Sequence, residues 1–279
     1  MNRIRIISAI LATGLLCCNL PAQVLFTPRD SVLAESALSE LAERQDELLA
    51  GDMIELMALH LLGTPYVGGT LDEPAEETLT VSLTRTDCIL FVETCFNLAL
   101  AAREGKTRWE DLCGLIRQSR YRTDSVRCYA DRIHYTTEWL RKGQARELLT
   151  EINLGNVPYE HHPINFMSRH AELYPRMDDV DAIRAVEDSL NRKVLCYLPK
   201  EEIRSMEMEF MPGDIICFVS GTPGLDISHV AITHVHDGIV GFIHASSTAR
   251  KVIIDPKSIA EYAASRSSCK GIQIWRAVF

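Results

Sequence analysis

The 279-residue chain predicts an α+β fold with its helices first and an antiparallel sheet last. Three observations carry that expectation. From Asp30 to Arg192 apolar residues recur mainly at helical spacing, whereas from Met211 onward they fall in short, β-rich runs between turn residues. Asp237–Gly238 separates two of those runs, a strong hairpin signal that makes the sheet antiparallel. A hydrophobic fraction of 47% is ample for the core of one such domain. No low-complexity linker or internal repeat interrupts the chain, so residues 23–279 read as a single domain.

The first 22 residues read differently. Arg3 and Arg5 form a basic start, and Ile6 to Leu16 is an apolar run too short to span a bilayer. Leu20–Pro21–Ala22 then offers a cleavage site before Gln23. Residues 1–22 are therefore expected to be a secretory signal, which makes the protein exported and periplasmic. Cys17 or Cys18 as a lipidated first residue is the weaker option, because Leu16 and Cys17 are poor choices for the small residue that precedes a lipidated cysteine.

A polar amphipathic helix is expected from Asp30 to about Arg44. A second, Asp46 to Leu62, carries Leu49, Met53, Leu56, Met57 and Leu61 on one stripe and stops at Gly63. The turn-rich loop from Gly63 to Thr70 has glycines that let backbone pass close to something. Leu79, Val81 and Leu83 are briefly strand-like. Asp87 is then a good N-cap for a helix from Cys88 to about Glu104 that is apolar nearly all round, as in a buried helix. Between Lys106 and Lys200, helices are expected at Trp109–Arg120, Tyr135–Leu149 and Asp181–Arg192, joined by aromatic- and histidine-rich links. This stretch reads as a helical insertion within the one domain. Strands are expected at Gly213–Val219, His229–Val235, Val240–Ser246 and Lys251–Ile254, then a helix at Ser258–Ala264 and a strand at Gly271–Ala277.

A net charge of -9 argues against a nucleic-acid surface. No apolar run after the N-terminus approaches the length of a membrane span. Seven cysteines follow the signal: Cys88, Cys95, Cys113, Cys128, Cys196, Cys217 and Cys269. They are scattered, lack C-x-x-C spacing and are odd in number, so at least one is unpaired, and sequence assigns no disulfide among the rest. The sequence carries no signal for an oligomeric state.

Cys88 is the candidate nucleophile. At the first turn of a buried helix, unpaired N–H groups and the helix dipole favour a thiolate, and the residue's own N–H can receive an oxyanion. A structural core cysteine is the ordinary role for such a residue; two histidines downstream alter the balance. Strand alternation puts His229, Ala231, Thr233 and Val235 on one face, and Val240, Phe242, His244 and Ser246 on the matching face across the hairpin. His234 and His236 point the other way. His229 and His244 can therefore stand side by side, one moving a proton and the other orienting it, the Cys–base–orienter logic of papain-like enzymes with His in place of Asn. The same three residues could bind zinc, although a catalytic metal would want a carboxylate or a third His at firm spacing. No metal and no cofactor is expected. His161, His162 and His170 match no ligand spacing and read as loop or pocket-lining residues.

Together, the run Leu62 to Thr70, Asp87–Cys88, Ser228–His229–Val230–Ala231 and His244–Ala245–Ser246 resemble the NlpC-type papain-like peptidase and amidase superfamily. More narrowly, Asp87–Glu93, Asp131–Tyr135, Pro163–Ser168, Gly224–His229 and His244–Ser246 are similar to a bacterial branch described as N-acetylmuramoyl-L-alanine amidase-like. The resemblance implies a papain-like core with Cys88 as nucleophile, His229 as base and His244 as the third, orienting residue. It further implies substrate contacts from Tyr66, Asp87, Arg132, His134, Tyr135, Met167, Ser168, Asp226 and Ser228, with the insertion supplying pocket walls. The implied substrate is a peptidoglycan fragment, an anhydro-muramic acid disaccharide bearing L-Ala or a short stem peptide. Two departures stand out: the Trp common in the superfamily's Pro-Tyr loop is absent, with Gly68 in its place, and Ile89 replaces the small hydroxyl residue usual after the cysteine.

The expected activity is thus hydrolysis of the muramic acid–L-Ala bond. One alternative uses the same machinery on the bond between D-Glu and the diamino acid of the stem. Another, from a different class, is a catalytically silent glycan-binding protein that keeps the aromatic cleft.

Overall fold

Asp30, in the first turn of helix α1 (Pro28–Arg44), is a buried carboxylate that fixes how the chain approaches Cys88. One oxygen accepts the Thr27 N–H at 2.7 Å, holding the helix start. The other accepts the N–H groups of Leu83 at 2.8 Å and Thr84 at 2.9 Å, just upstream of the Asp87–Cys88 turn. Sequence alternation predicts a strand through Leu83. The carboxylate instead satisfies that backbone, and only Val24–Leu25 (β1) and Leu79–Thr80 (β2) pair, as a parallel two-residue ladder. The computed structural model describes residues 24–123 and 125–279, so the expected signal at 1–22 lies outside the described residues.

Helix α2 (Ala50–His60) is shorter than predicted. It is followed by α3 (Cys88–Arg103), in which every residue from Leu90 to Ala102 is buried. Asp87 caps α3 by accepting the Leu90 N–H at 2.9 Å. Helix α4 (Trp109–Arg120) matches its predicted bounds and is tied to α3 by a buried Arg120–Glu93 ion pair.

The segment expected to be a helical insertion contains α5 (Thr136–Ala145), α6 (Phe166–Arg169) and α7 (Val180–Leu190), but also β3 (Leu149–Ile152), β4 (Val157–Pro158) and β5 (Cys196–Pro199). After α8 (Ile203–Met206) come β6 (Ile215–Ser220), β7 (Ile227–His236), β8 (Ile239–Ser246), β9 (Lys251–Ile254), α9 (Ile259–Ser265) and β10 (Cys269–Ala277). The main sheet runs β4-β5-β10-β6-β7-β8-β9, with β3 also on β10. The helix predicted to reach Leu149 ends at Ala145. Leu149 there turns into β3, whose backbone pairs opposite Ala277. The elaboration is therefore woven into the sheet, because its strands supply partners that β10 would otherwise lack on that edge.

Helices α1 to α4 cover the sheet face bearing Cys217, Val230, Ile232, Ile243 and Ala245. The opposite face, with Phe218, Ala231, Phe242 and Ile272, packs against Ile203 near α8 and Ile259 and Tyr262 of α9. Gly224 has φ +85° and accepts the N–H groups of Asn165 and Phe166, each at 3.0 Å; a side chain there would collide with that backbone. This contact docks α6 against the loop leading into β7. All seven cysteines among the described residues are free thiols.

Candidate active site

β7 and β8 begin as a tight hairpin, but their ladder stops at Ile232–Ile243 although both strands continue. In an antiparallel strand alternate N–H groups point to opposite neighbours. The Thr233 N–H goes to Asp214 on the β6 side, so the Val230 N–H points to the β8 side, into the gap where the strands part. The Cys88 sulfur, carried by the α3 tip, lies near enough to that Val230 N–H, one residue from His229, for its dipole to favour the thiolate.

His229 and His244 lie diagonally across the splayed strands, with ring centroids 4.9 Å apart and planes at 86°. Their nearest nitrogens, His229 Nε2 and His244 Nδ1, are 2.6 Å apart. His244 Nε2 lies 3.1 Å from Asp255 Oδ2. An ionised Asp accepts only, so His244 carries its proton on Nε2 and accepts at Nδ1. His229 then donates from Nε2, which leaves its Nδ1 lone pair free to act as a base. Tyr262 of α9 packs beside both rings, at 5.9 Å from His229 and 5.4 Å from His244.

The electrostatics differ from the expectation of a resting thiolate. Burial, and then the Asp87 carboxylate, push the Cys88 thiol up to about 12, against the lowering effect of the N–H groups of Val230, Ile89 and Cys88. Burial, followed by the charges of His244 and Arg266, lowers His229 to about 3. Desolvation thus outweighs the helix end, and the resting site holds a neutral thiol and a neutral imidazole. Tyr66 is half-buried; burial, then the charges of Cys88 and Asp87, raise its hydroxyl pKa, so it stays protonated within electrostatic reach of the sulfur.

The other predicted contact residues occupy different positions. Arg132 is buried and pairs with Asp72 and Glu77. His134 stacks on Tyr129 and bonds its carbonyl at 2.9 Å, and burial pushes it down to about 3. Tyr135 donates to Glu187 at 2.7 Å and accepts the Met167 N–H at 2.9 Å, while the Ser168 N–H also goes to Glu187. Met167 is buried in the same small cluster, and buried Asp226 accepts the Thr137 N–H at 2.8 Å. Arg132, His134, Tyr135, Met167 and Asp226 thus meet internal partners in and around the elaboration, whereas Ser168 borders a cavity between α6 and α7. Ser228 is exposed beside His229. His234, set aside from the sequence, bonds Glu55 of α2 at 2.8 Å.

Sequence reading missed Asp255, Tyr262 and Arg266. A signal for Asp255 existed: in the β8–β9 hairpin Ile253 pairs with His244, and two residues on, Asp255 falls on the same face. Tyr262 and Arg266 come from a separate helix whose docking no local pattern specifies.

The fold has solved counterparts that include N-acetylmuramoyl-L-alanine amidases. A structure of an N-acetylmuramoyl-L-alanine amidase from Bacteroides uniformis superposes with TM-score 0.75 at 26% identity, covering 82% of this chain and 99% of that one. A putative xylanase from Bacteroides fragilis gives TM-score 0.71 at 29% identity, covering 79% and 99%. A Legionella pneumophila protein, at 20% identity and TM-score 0.67 over 90% and 96% of the two chains, shares the fold. No protein in the curated set matches. The chain belongs to the AmiA-like, N-acetylmuramoyl-L-alanine amidase-like family, whose profile matches residues 56–272. That membership points to peptidoglycan-derived substrates, and among the described residues no helix is long and apolar enough to cross a membrane.

Proposed function

We propose that this protein is a cysteine amidase of the NlpC-type, papain-like kind that cleaves the bond between N-acetylmuramic acid, in the anhydro form of soluble muropeptides, and L-Ala. The observation that carries the reading is the His229–His244–Asp255 hydrogen-bond chain, whose first imidazole adjoins Val230, the residue whose N–H acts on the Cys88 sulfur. His229 Nδ1 takes the thiol proton as Sγ attacks the lactyl carbonyl carbon, so charge forms only as the bond does. The Cys88 N–H and the Tyr66 hydroxyl receive the oxyanion. His229 then gives that proton to the departing L-Ala nitrogen, leaving a thioester. Water attacks the thioester carbonyl while His229 takes its proton, and the sulfur leaves to recover it as thiol. An exported, periplasmic setting, as read from residues 1–22, suits this substrate.

The test is product analysis by mass spectrometry on defined muropeptides. Free anhydro-muramic sugar plus an L-Ala-headed peptide is expected, with at least a 10³-fold loss in Cys88→Ala, because such groups act as a unit. A shortened stem still bearing muramic acid would instead identify a D-Glu–diamino acid endopeptidase. Parent-level release of L-Ala by Cys88→Ala would overturn the mechanism.

A further inference from the structure

We propose that the cavity between the open ends of β7 and β8 and helix α9 is a carboxylate subsite for the leaving-group side of the substrate, with Arg266 as its cation. This rests on the amidase reading and deepens it. The cavity holds about 200 Å³, with His229, Tyr262 and Arg266 in its walls. Ser228, Ser246, Ser247 and Ser268 also line it, and none of its lining residues is acidic.

Arg266 is exposed, sits over the Tyr262 ring at 4.8 Å and donates to the Tyr262 hydroxyl at 3.3 Å. No carboxylate pairs with it among the described residues. An arginine held flat on an aromatic ring, facing a hydroxyl-lined cavity without an acid, is built for a planar anion from outside.

Position in the reaction says which anion. The imidazole that returns a proton to the departing amine must lie beside that amine, so a cavity walled by His229 receives what the amine is bonded to. In a muramoyl-L-alanine that is the α-carbon and carboxylate of L-Ala. With a longer stem, the first free carboxylate is the α-carboxylate of the following D-Glu. The chemistry is shared: a carboxylate within one or two residues of the scissile nitrogen. Its arrival would also offset the Arg266 charge that helps depress both imidazoles, leaving His229 readier to accept the Cys88 proton. Recognition of the leaving group and activation of the base are then one event.

The experiment compares two matched pairs: N-acetylmuramoyl-L-alanine against its carboxamide, and N-acetylmuramoyl-L-Ala-D-Glu against the α-amide of that D-Glu. The parent enzyme should prefer the carboxylate member of one pair at least 10-fold in kcat/KM, and the pair that responds identifies the source. Arg266→Ala should cut the preference to within about twofold, chiefly through KM, while Arg266→Lys retains part of it. The substitution is at an exposed side chain, and an unchanged thermal midpoint verifies the fold. Calorimetry of the same compounds on Cys88→Ala and Cys88→Ala/Arg266→Ala protein separates the two readings. Arg266-dependent carboxylate binding without any turnover by the parent enzyme would uphold the subsite and sink the amidase. Turnover with no carboxylate preference, or with a preference that survives Arg266→Ala, would overturn the subsite and leave the amidase standing.

Discussion

Replacing Asp255 by Asn tests the proton relay without changing its shape. The Asp255 side chain is only 10% exposed and bonds a His244 that is itself buried, so water cannot substitute for the lost charge. A hydrogen bond to a charged group contributes about 1.5–3 kcal/mol. At about 1.4 kcal/mol per factor of ten, Asp255→Ala should therefore lower kcat/KM by roughly 10- to 100-fold. Asn should do worse than Ala. Its amide can donate to His244 Nε2, which moves the His244 proton to Nδ1 and forces His229 to accept there. The His229 proton then occupies Nδ1, where the base must be empty. An error of this kind costs about 10⁴ in a serine triad, so a loss of about 10³–10⁴ is expected for Asn. The assay is steady-state release of the L-Ala-headed peptide from an anhydro-muropeptide near pH 7, with folding verified by thermal midpoint. If Asp255→Asn stays within threefold of the parent, Asp255 has no place in the relay. If Asn loses no more than Ala, the tautomer argument is wrong even though the residue matters.

Two further outcomes follow from the desolvated, neutral Cys88 and His229. Because the Cys88 thiol is pushed up to about 12, its alkylation by iodoacetamide in the resting enzyme should keep accelerating from pH 6 to pH 10; a rate already at plateau below pH 7 would mean a preformed thiolate–imidazolium pair. His229 and His134 are both lowered to about 3 from an unfolded value of 6.5, so between those values the unfolded chain binds more protons than the folded one. Their contribution to stability is present above about pH 6.5 and is lost as pH falls toward 3. The urea midpoint should drop between pH 7 and pH 5, and His134→Gln should make that drop shallower; a midpoint equal at both pH values would contradict it.

Local patterns located most elements of this chain. Trp109–Arg120 and Lys251–Ile254 were readable to the residue, since an amphipathic stripe and a β-rich run flanked by turns are set by neighbours a few positions away. The helix predicted through Leu149 and the strand predicted through Leu83 illustrate the failures. In each case a distant group, β10 or the Asp30 carboxylate, offers the backbone a partner that no short window contains. Likewise Tyr135 bonds Glu187 and the Met167 backbone, partners far along the chain that no short window contains.

Sequence alone determined the chemistry-bearing types: a cysteine after an N-cap and two imidazoles on one face of a hairpin, because 3.6- and 2-residue periods dictate those relations. Tertiary structure decided whether they meet and in what state. The parting of β7 from β8 leaves the Val230 N–H to act on the Cys88 sulfur, α9 brings in Tyr262 and Arg266, and desolvation keeps thiol and imidazole neutral. Those outcomes depend on desolvation and long-range packing, which are properties of the assembled fold rather than of any stretch of chain.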